Sequence, residues 1–254
     1  MAEAARDTSA PRVRVQTATR DRVAVAVFTA TSFVGSTLLF LVQPMVGRLL
    51  LPRAGGSASL WSTAMVFFQV TLLAGYLFAH LSTTRLGVAR HRYAHLAVLA
   101  APLLVLPLAV PEGWSLNGAQ PVLDTLRVLT VMVGLPFFAL ATASPTLQRW
   151  FAETGHQQAS DPYFLYAAGN VGSIGALAGY PLLIEPHLGL GAQTRVFTLG
   201  YAALVALTAG CALLVRAQSS HRMESAAPRS RLAPRRRLTW VALAAVPSAL
   251  LLGV

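Results

Sequence analysis

Lysine is absent from this chain of 254 residues, and all 20 basic side chains are arginine. Acidic residues number only 9, and charged residues make up 11 % of the sequence. A water-soluble domain of this size carries more charge than that, so a soluble globular fold is excluded. One cysteine, Cys211, is present. A lone cysteine closes no internal disulfide and builds no cysteine metal site, and it leaves the redox compartment undefined. No phosphate-binding Walker motif occurs; the glycines of GNVGSIG lie inside an apolar run with no strand before them, which excludes a nucleotide loop. His91 and His95 stand four residues apart, a spacing found in metal sites, but no glutamate lies between them, and no metal site is assigned. No Ser/His/Asp set stands out, and Asp161 and Glu185 sit at opposite ends of one apolar run, too far apart for an acid/base pair. The sequence therefore offers no catalytic residue and no cofactor or metal ligand. Nor is the start of the chain a secretory signal: residues 1–22 are polar and arginine-rich, and the apolar run after them is too long for one.

What is there is hydrophobicity in blocks. Apolar residues make up 55 % of the chain, and they cluster in runs near bilayer thickness. The fold class expected is all-α, a polytopic transmembrane helical bundle of about seven spans whose partner is the lipid bilayer. A basic tail, 1–22, is expected to be disordered and cytoplasmic. A six-span bundle follows over 23–215, with spans at about 23–46, 59–81, 93–110, 121–145, 161–187 and 194–215. Residues 216–237 form a basic loop ending in Arg235, Arg236 and Arg237. Residues 238–254 begin a seventh span, and because they are still apolar at Val254 the chain reads as truncated. Counted along this layout, sixteen arginines fall on the side of the N-terminus and four on the other. That asymmetry places the N-terminus in the cytoplasm, and it accounts for the net charge of +11 without a nucleic-acid partner. Arginine without lysine, together with abundant Ala, Gly and Leu, is the composition of a GC-rich bacterial genome, so the expected location is the bacterial inner membrane.

The run from Asp161 to Arg195 organises the rest. Asp161-Pro162 is a helix start, since the carboxylate can cap free amides and proline suits the first turn. Gly175 and Gly179 form a GxxxG pair that lets another helix approach closely, and Asn170 can hydrogen-bond across such a contact. Polar residues inside spans mark either helix contacts or a path through the membrane. Those singled out as lining such a path are Gln43, Gln69, Tyr76, His80, Asn170, Ser173 and Glu185. Gln43 precedes a kink-prone Pro44. Gln69, Tyr76 and His80 share one helix face by their spacing, which is read either as facing the bundle or as a solvated path. Glu185 is expected to pair with Arg195 across a short hairpin.

Two long stretches carry a resemblance. FVGSTLLFLVQPMVGRLLLPRAGGSASLWSTAMVFFQVTLLAGYLFAHL (33–81) and SDPYFLYAAGNVGSIGALAGYPLLIEPHLGLGAQTR (160–195), in that order and with RRRLTWVALAAVPSALLLGV after them, resemble the membrane region of the bacterial spermidine-synthase-like integral membrane proteins. The resemblance implies a transporter-like membrane part joined to a soluble aminopropyltransferase-like domain. Any such activity would lie beyond these residues, because the family's catalytic signatures match no position here. It implies a membrane module that anchors that domain and handles a polyamine-like small molecule. Alternative readings are a stand-alone permease for a small solute and a purely structural anchor; a homo-oligomer is compatible with each.

Overall fold

The computed structural model describes residues 10–54, 56–111, 114, 120–154, 156, 159 and 161–219, with side chains from Asp21 to Val215, and five positions near the end of the chain. Seven α-helices are present among these residues: α1 (Ala10–Ala54), α2 (Ala58–Ala100), α3 (Pro121–Leu129), α4 (Leu135–Ala152), α5 (Tyr163–Gly179), α6 (Glu185–His187) and α7 (Leu190–Ser219). No strand occurs among the described residues. The chain divides into two compact units, Met1–His221 and Arg222–Val254. Within the second, residues 236, 239, 242, 243 and 246 are helical; the rest of the expected basic loop and seventh span lies outside the described residues.

Five helical stretches are long and apolar enough to cross a membrane: Asp21–Arg53, Ala58–Gly87, Pro121–Ala152, Tyr163–His187 and Leu190–Val215. They correspond to five of the seven expected spans and form the layout of a multi-pass membrane protein. α1 begins at Ala10, upstream of the expected start at Val23, and it carries Pro44 and Pro52 within it. Pro44 has no N–H to give to the carbonyl four residues back, that of Phe40. Near Pro136 and Pro181 the missing donors coincide with wider π turns, at Thr130–Gly134 and Tyr180–Ile184. These turns join α3 to α4 and α5 to α6, so each proline-bearing span bends without ending.

The expected third span, 93–110, departs most from a regular helix. Where a loop was expected over 82–92, α2 continues, broken only at Gly87, whose φ of 69° is left-handed. Glycine adopts that conformation without the Cβ clash that any other residue would suffer. The second arm of α2 runs from Val88 to Ala100, tightens into a 3-10 turn at Ala101–Leu104 and then gives way to non-helical chain. Leu108 in that chain is buried in the main core cluster, which includes Val128, Leu129 and Met132, and Leu106 and Val110 pack against that cluster. The Tyr201 hydroxyl donates to the Leu99 carbonyl at 3.0 Å. It thereby satisfies one of the acceptors that a buried helix end leaves orphaned.

Residue pairings fix the direction of each helix. α5 runs parallel to α1, with Ser32 beside Leu165 and Thr37 beside Gly172. α7 is antiparallel to α1, with Leu38 beside Gly200 and Thr31 beside Cys211. α4 is antiparallel to α1, with Gly35 beside Ala143 and Phe28 stacked edge-on against Phe151. The first arm of α2 runs parallel to α4 (Phe67 beside Gly134, Gly75 beside Ala141). Its second arm runs back along α4, with His95 beside Thr142 and His91 beside Trp150.

Two seams bring backbones together. In the α1–α5 seam, a Cβ added to Gly172 would lie 2.5 Å from the Phe33 carbonyl oxygen and 2.9 Å from Thr37 Oγ1. In the α2–α4 seam, one added to Gly75 would lie 2.6 Å from the Ala141 Cβ. The expected GxxxG contact is corrected here: Gly175 and Gly179 have nothing within 4 Å of an added Cβ, and it is Gly169 and Gly172 that meet α1. The reason is rotational, since buried Leu165, Gly172 and Ala176 share the face that lies on α1 and Gly175 falls off that face.

Gly172→Ala is therefore expected to lower stability by about 1–3 kcal/mol through overpacking, whereas Gly175→Ala should be neutral or stabilising by up to about 1 kcal/mol. Melting temperatures of the two variants in detergent test this, and equal losses would show that the seam is misplaced.

Candidate functional site

The seven residues singled out from sequence fall on three helical spans. Gln43 and Ser173 are half-buried, Glu185 is half-buried, and Gln69, Tyr76, His80 and Asn170 are exposed. The face shared by Gln69, Tyr76 and His80 thus does not lie within the α2–α4 contact. That contact is made by Phe68, Gly75 and Phe78, which meet Phe137, Ala141 and Phe138. The polar face is one flank further round the helix.

This flank looks across to α5. Tyr166 on α5 lies close enough to Tyr76 for their hydroxyls to interact electrostatically, yet α2 and α5 barely touch. At helical spacing, Asn170 and Ser173 extend the Tyr166 flank of α5. α5 packs on α1 and α2 on α4, and α1 and α4 pack on each other. Ser32, Ser36 and Leu39 of α1 and Leu140, Ser144 and Leu147 of α4 line one depression there. Gln148 Nε2 donates to Ser144 Oγ at 3.2 Å. Gln43, Pro44 and Gly47 of α1 and Trp61, Met65 and Phe68 of α2 line a cavity of about 160 Å³. The Trp61 ring covers Gly47 so closely that a Cβ there would lie 2.8 Å from it. The groove between α1 and α4 thus carries Ser32, Ser36 and Ser144, Gln43 lines the cavity beside α2, and Tyr76, Tyr166 and Asn170 are exposed on α2 and α5.

Of the expected residues, Gln43 lines the cavity against Trp61, and Gln69, Tyr76, His80 and Asn170 are exposed on their helices. Ser173 spends its hydroxyl within its own helix, donating to the Asn170 carbonyl at 2.9 Å. Glu185 is not a free carboxylate. It forms an ion pair with Arg48 of α1, so the expected pairing with Arg195 is corrected. The parallel run of α1 and α5 carries Arg48 to the level of Glu185. The hairpin beyond Glu185 is held instead by uncharged groups: Tyr180 donates to Gln193 Oε1 at 3.1 Å, and Gln193 Nε2 donates to the Leu188 carbonyl at 2.8 Å. The serines and Tyr166 were missed by sequence reasoning. Their signal was spacing: Ser32 and Ser36, Ser144 and Gln148, and Tyr166 and Asn170 are each four residues apart, as Tyr76 and His80 are.

A second polar cluster is closed to the surface. His91 and His95 are fully buried, with their rings stacked at a centroid separation of 5.8 Å and both edge-on to Trp150. Trp150 Nε1 donates to His91 Nδ1 at 3.2 Å, and Thr142 Oγ1 lies 3.3 Å from His95 Nδ1. Among the described residues no group of three or more His, Cys, Asp or Glu is placed to hold a metal ion. No family model, curated protein or solved structure matches this chain.

If the groove and the polar faces of α2 and α5 hold water, cysteines placed in them will react with a hydrophilic maleimide, because the reactive species is the hydrated thiolate. His80→Cys, Ser144→Cys and Asn170→Cys are expected to label in membranes at least ten times faster than Ile174→Cys and Leu199→Cys, which sit on the exposed apolar surface. The native Cys211 is fully buried and gives a silent background. Labelling at equal rates in both sets would mean that the groove is filled by lipid.

Proposed function

We propose that this chain is a multi-pass membrane module whose groove receives a small polar solute, and that it serves as the membrane part of a protein of the spermidine-synthase-like kind that it resembles. One observation carries the reading: hydroxyl side chains of two spans, Ser32 and Ser36 of α1 and Ser144 of α4, line one depression. Polar groups in a membrane protein are expensive wherever they face lipid, so their convergence marks a place for water or a ligand. The alternation of helix directions, with the non-helical segment after Ala100 counted as a crossing, supports six crossings before the basic stretch. A seventh would follow, and the arginine asymmetry supports a cytoplasmic N-terminus.

The lining also speaks to the class of solute. Its hydroxyl and amide groups are uncharged, and Glu185, the one carboxylate among the seven residues, is neutralised by Arg48. A polyamine-like polycation would have to displace the Arg48 guanidinium to gain a counter-charge. An uncharged or singly charged solute with hydroxyl or amide groups fits the lining without that exchange, with the exposed Tyr76 and Tyr166 offering ring faces.

A ligand that binds only the folded state raises its melting temperature. Purified protein in detergent is to be screened against neutral polyols and amides, monoamines and spermidine. Stabilisation is expected from the uncharged or singly charged compounds and is expected to vanish in Tyr76→Leu and Asn170→Leu. Stabilisation by spermidine alone would overturn the solute class, and no stabilisation by any compound would favour the plain anchor.

A further inference from the structure

We propose that His91, His95 and Thr146 enclose a binding site for a single internal water molecule between the second arm of α2 and α4. Three side-chain atoms in this cluster are buried without a hydrogen-bond partner: His91 Nε2, His95 Nε2 and Thr146 Oγ1. All three residues are fully buried. Thr146 lies one turn from Thr142 and one turn from Trp150, on the α4 face that meets both histidines.

The neighbours fix what each nitrogen offers. The Trp150 indole is a donor only, and it is directed at His91 Nδ1. That nitrogen therefore holds a lone pair, and the proton of neutral His91 sits on Nε2. The Thr142 hydroxyl gives its proton to the Ala139 carbonyl at 2.6 Å, so toward His95 Nδ1 it accepts. The proton of His95 is then on Nδ1, and its Nε2 is a bare acceptor. The site thus presents one donor, one acceptor and one hydroxyl able to act as either. A water molecule has two protons and two lone pairs, and it can serve all three. At a usual hydrogen-bond length of about 2.9 Å to each side, one water spans nitrogens up to about 5.8 Å apart. The stacked rings are separated by a comparable distance.

The same tautomers disfavour a metal ion, although the i, i+4 histidine spacing invites one. A metal on His91 Nε2 needs the lone pair there and a proton on Nδ1, where the Trp150 N–H already points. Water needs no such rearrangement.

The test is magic-angle-spinning NMR of the full chain, labelled with 15N-histidine, in lipid bilayers. The expected result is one ring protonated on Nε2 and one on Nδ1, both receiving polarisation from water. That transfer is expected to persist in Thr146→Ser and to fall several-fold in the near-isosteric Thr146→Val. Absence of water transfer to either ring in the unmodified protein would overturn the proposal, as would transfer unchanged in Thr146→Val. A shift of both Nε2 resonances to metal-bound values on adding Zn²⁺ would overturn it in favour of a metal site.

Discussion

Close backbone approach at two seams determines where everything else in this bundle can lie. Between membrane helices, lipid tails are as apolar as leucine, so there is little hydrophobic drive to associate. Packing and short interhelical hydrogen bonds have to do it. Gly172 against the Phe33 carbonyl joins α1 to α5, and Gly75 against Ala141 joins α2 to α4. Ser32 and Thr37 add hydrogen bonds to backbone carbonyls across the first seam. Each seam makes a tight pair. The span containing α4 is the most buried of the five, at 61 %, and that containing α5 the least, at 17 %.

Much of this was legible from residue order and hydrophobicity. Runs of bilayer length gave the helical class and five of the spans. The polar residues were also recognisable, because an amide or imidazole inside an apolar run is rare enough to notice. What could not be read was which way they turn. Gln69, Tyr76 and His80 share a face by arithmetic, but whether that face meets a neighbour depends on Gly75 facing Ala141. The same holds for Gly175 and Gly179, a standard motif that no neighbouring helix approaches within 4 Å of an added Cβ. Glu185 has two arginines within reach of its chain segment, and the choice of Arg48 follows only from the parallel pairing of α1 and α5.

The stretch after Gly87 shows the other limit of sequence. Its leucines and alanines suit a full span, yet helix persists only to Leu104. Non-helical backbone inside a membrane protein survives where protein surrounds it. Here the cover is one-sided: Leu108 is buried in one cluster with Val128, Leu129 and Met132, and Tyr201 caps Leu99, while Leu104 and Val105 stay exposed. None of these partners is near in sequence, so no local pattern announces them.

That distance bears on the order in which the protein can be assembled. The second arm of α2 leaves the ribosome well before Thr142, Trp150 and Tyr201. Until they arrive, His91 and His95 have no Trp150 or Thr142 to bond, and the Leu99 carbonyl has no Tyr201. A segment carrying two imidazoles and open backbone is a poor solo entrant into hydrocarbon. Its insertion is thus tied to the delivery of α4 and α7, and translation must pass residue 201 before the first half of the bundle can settle.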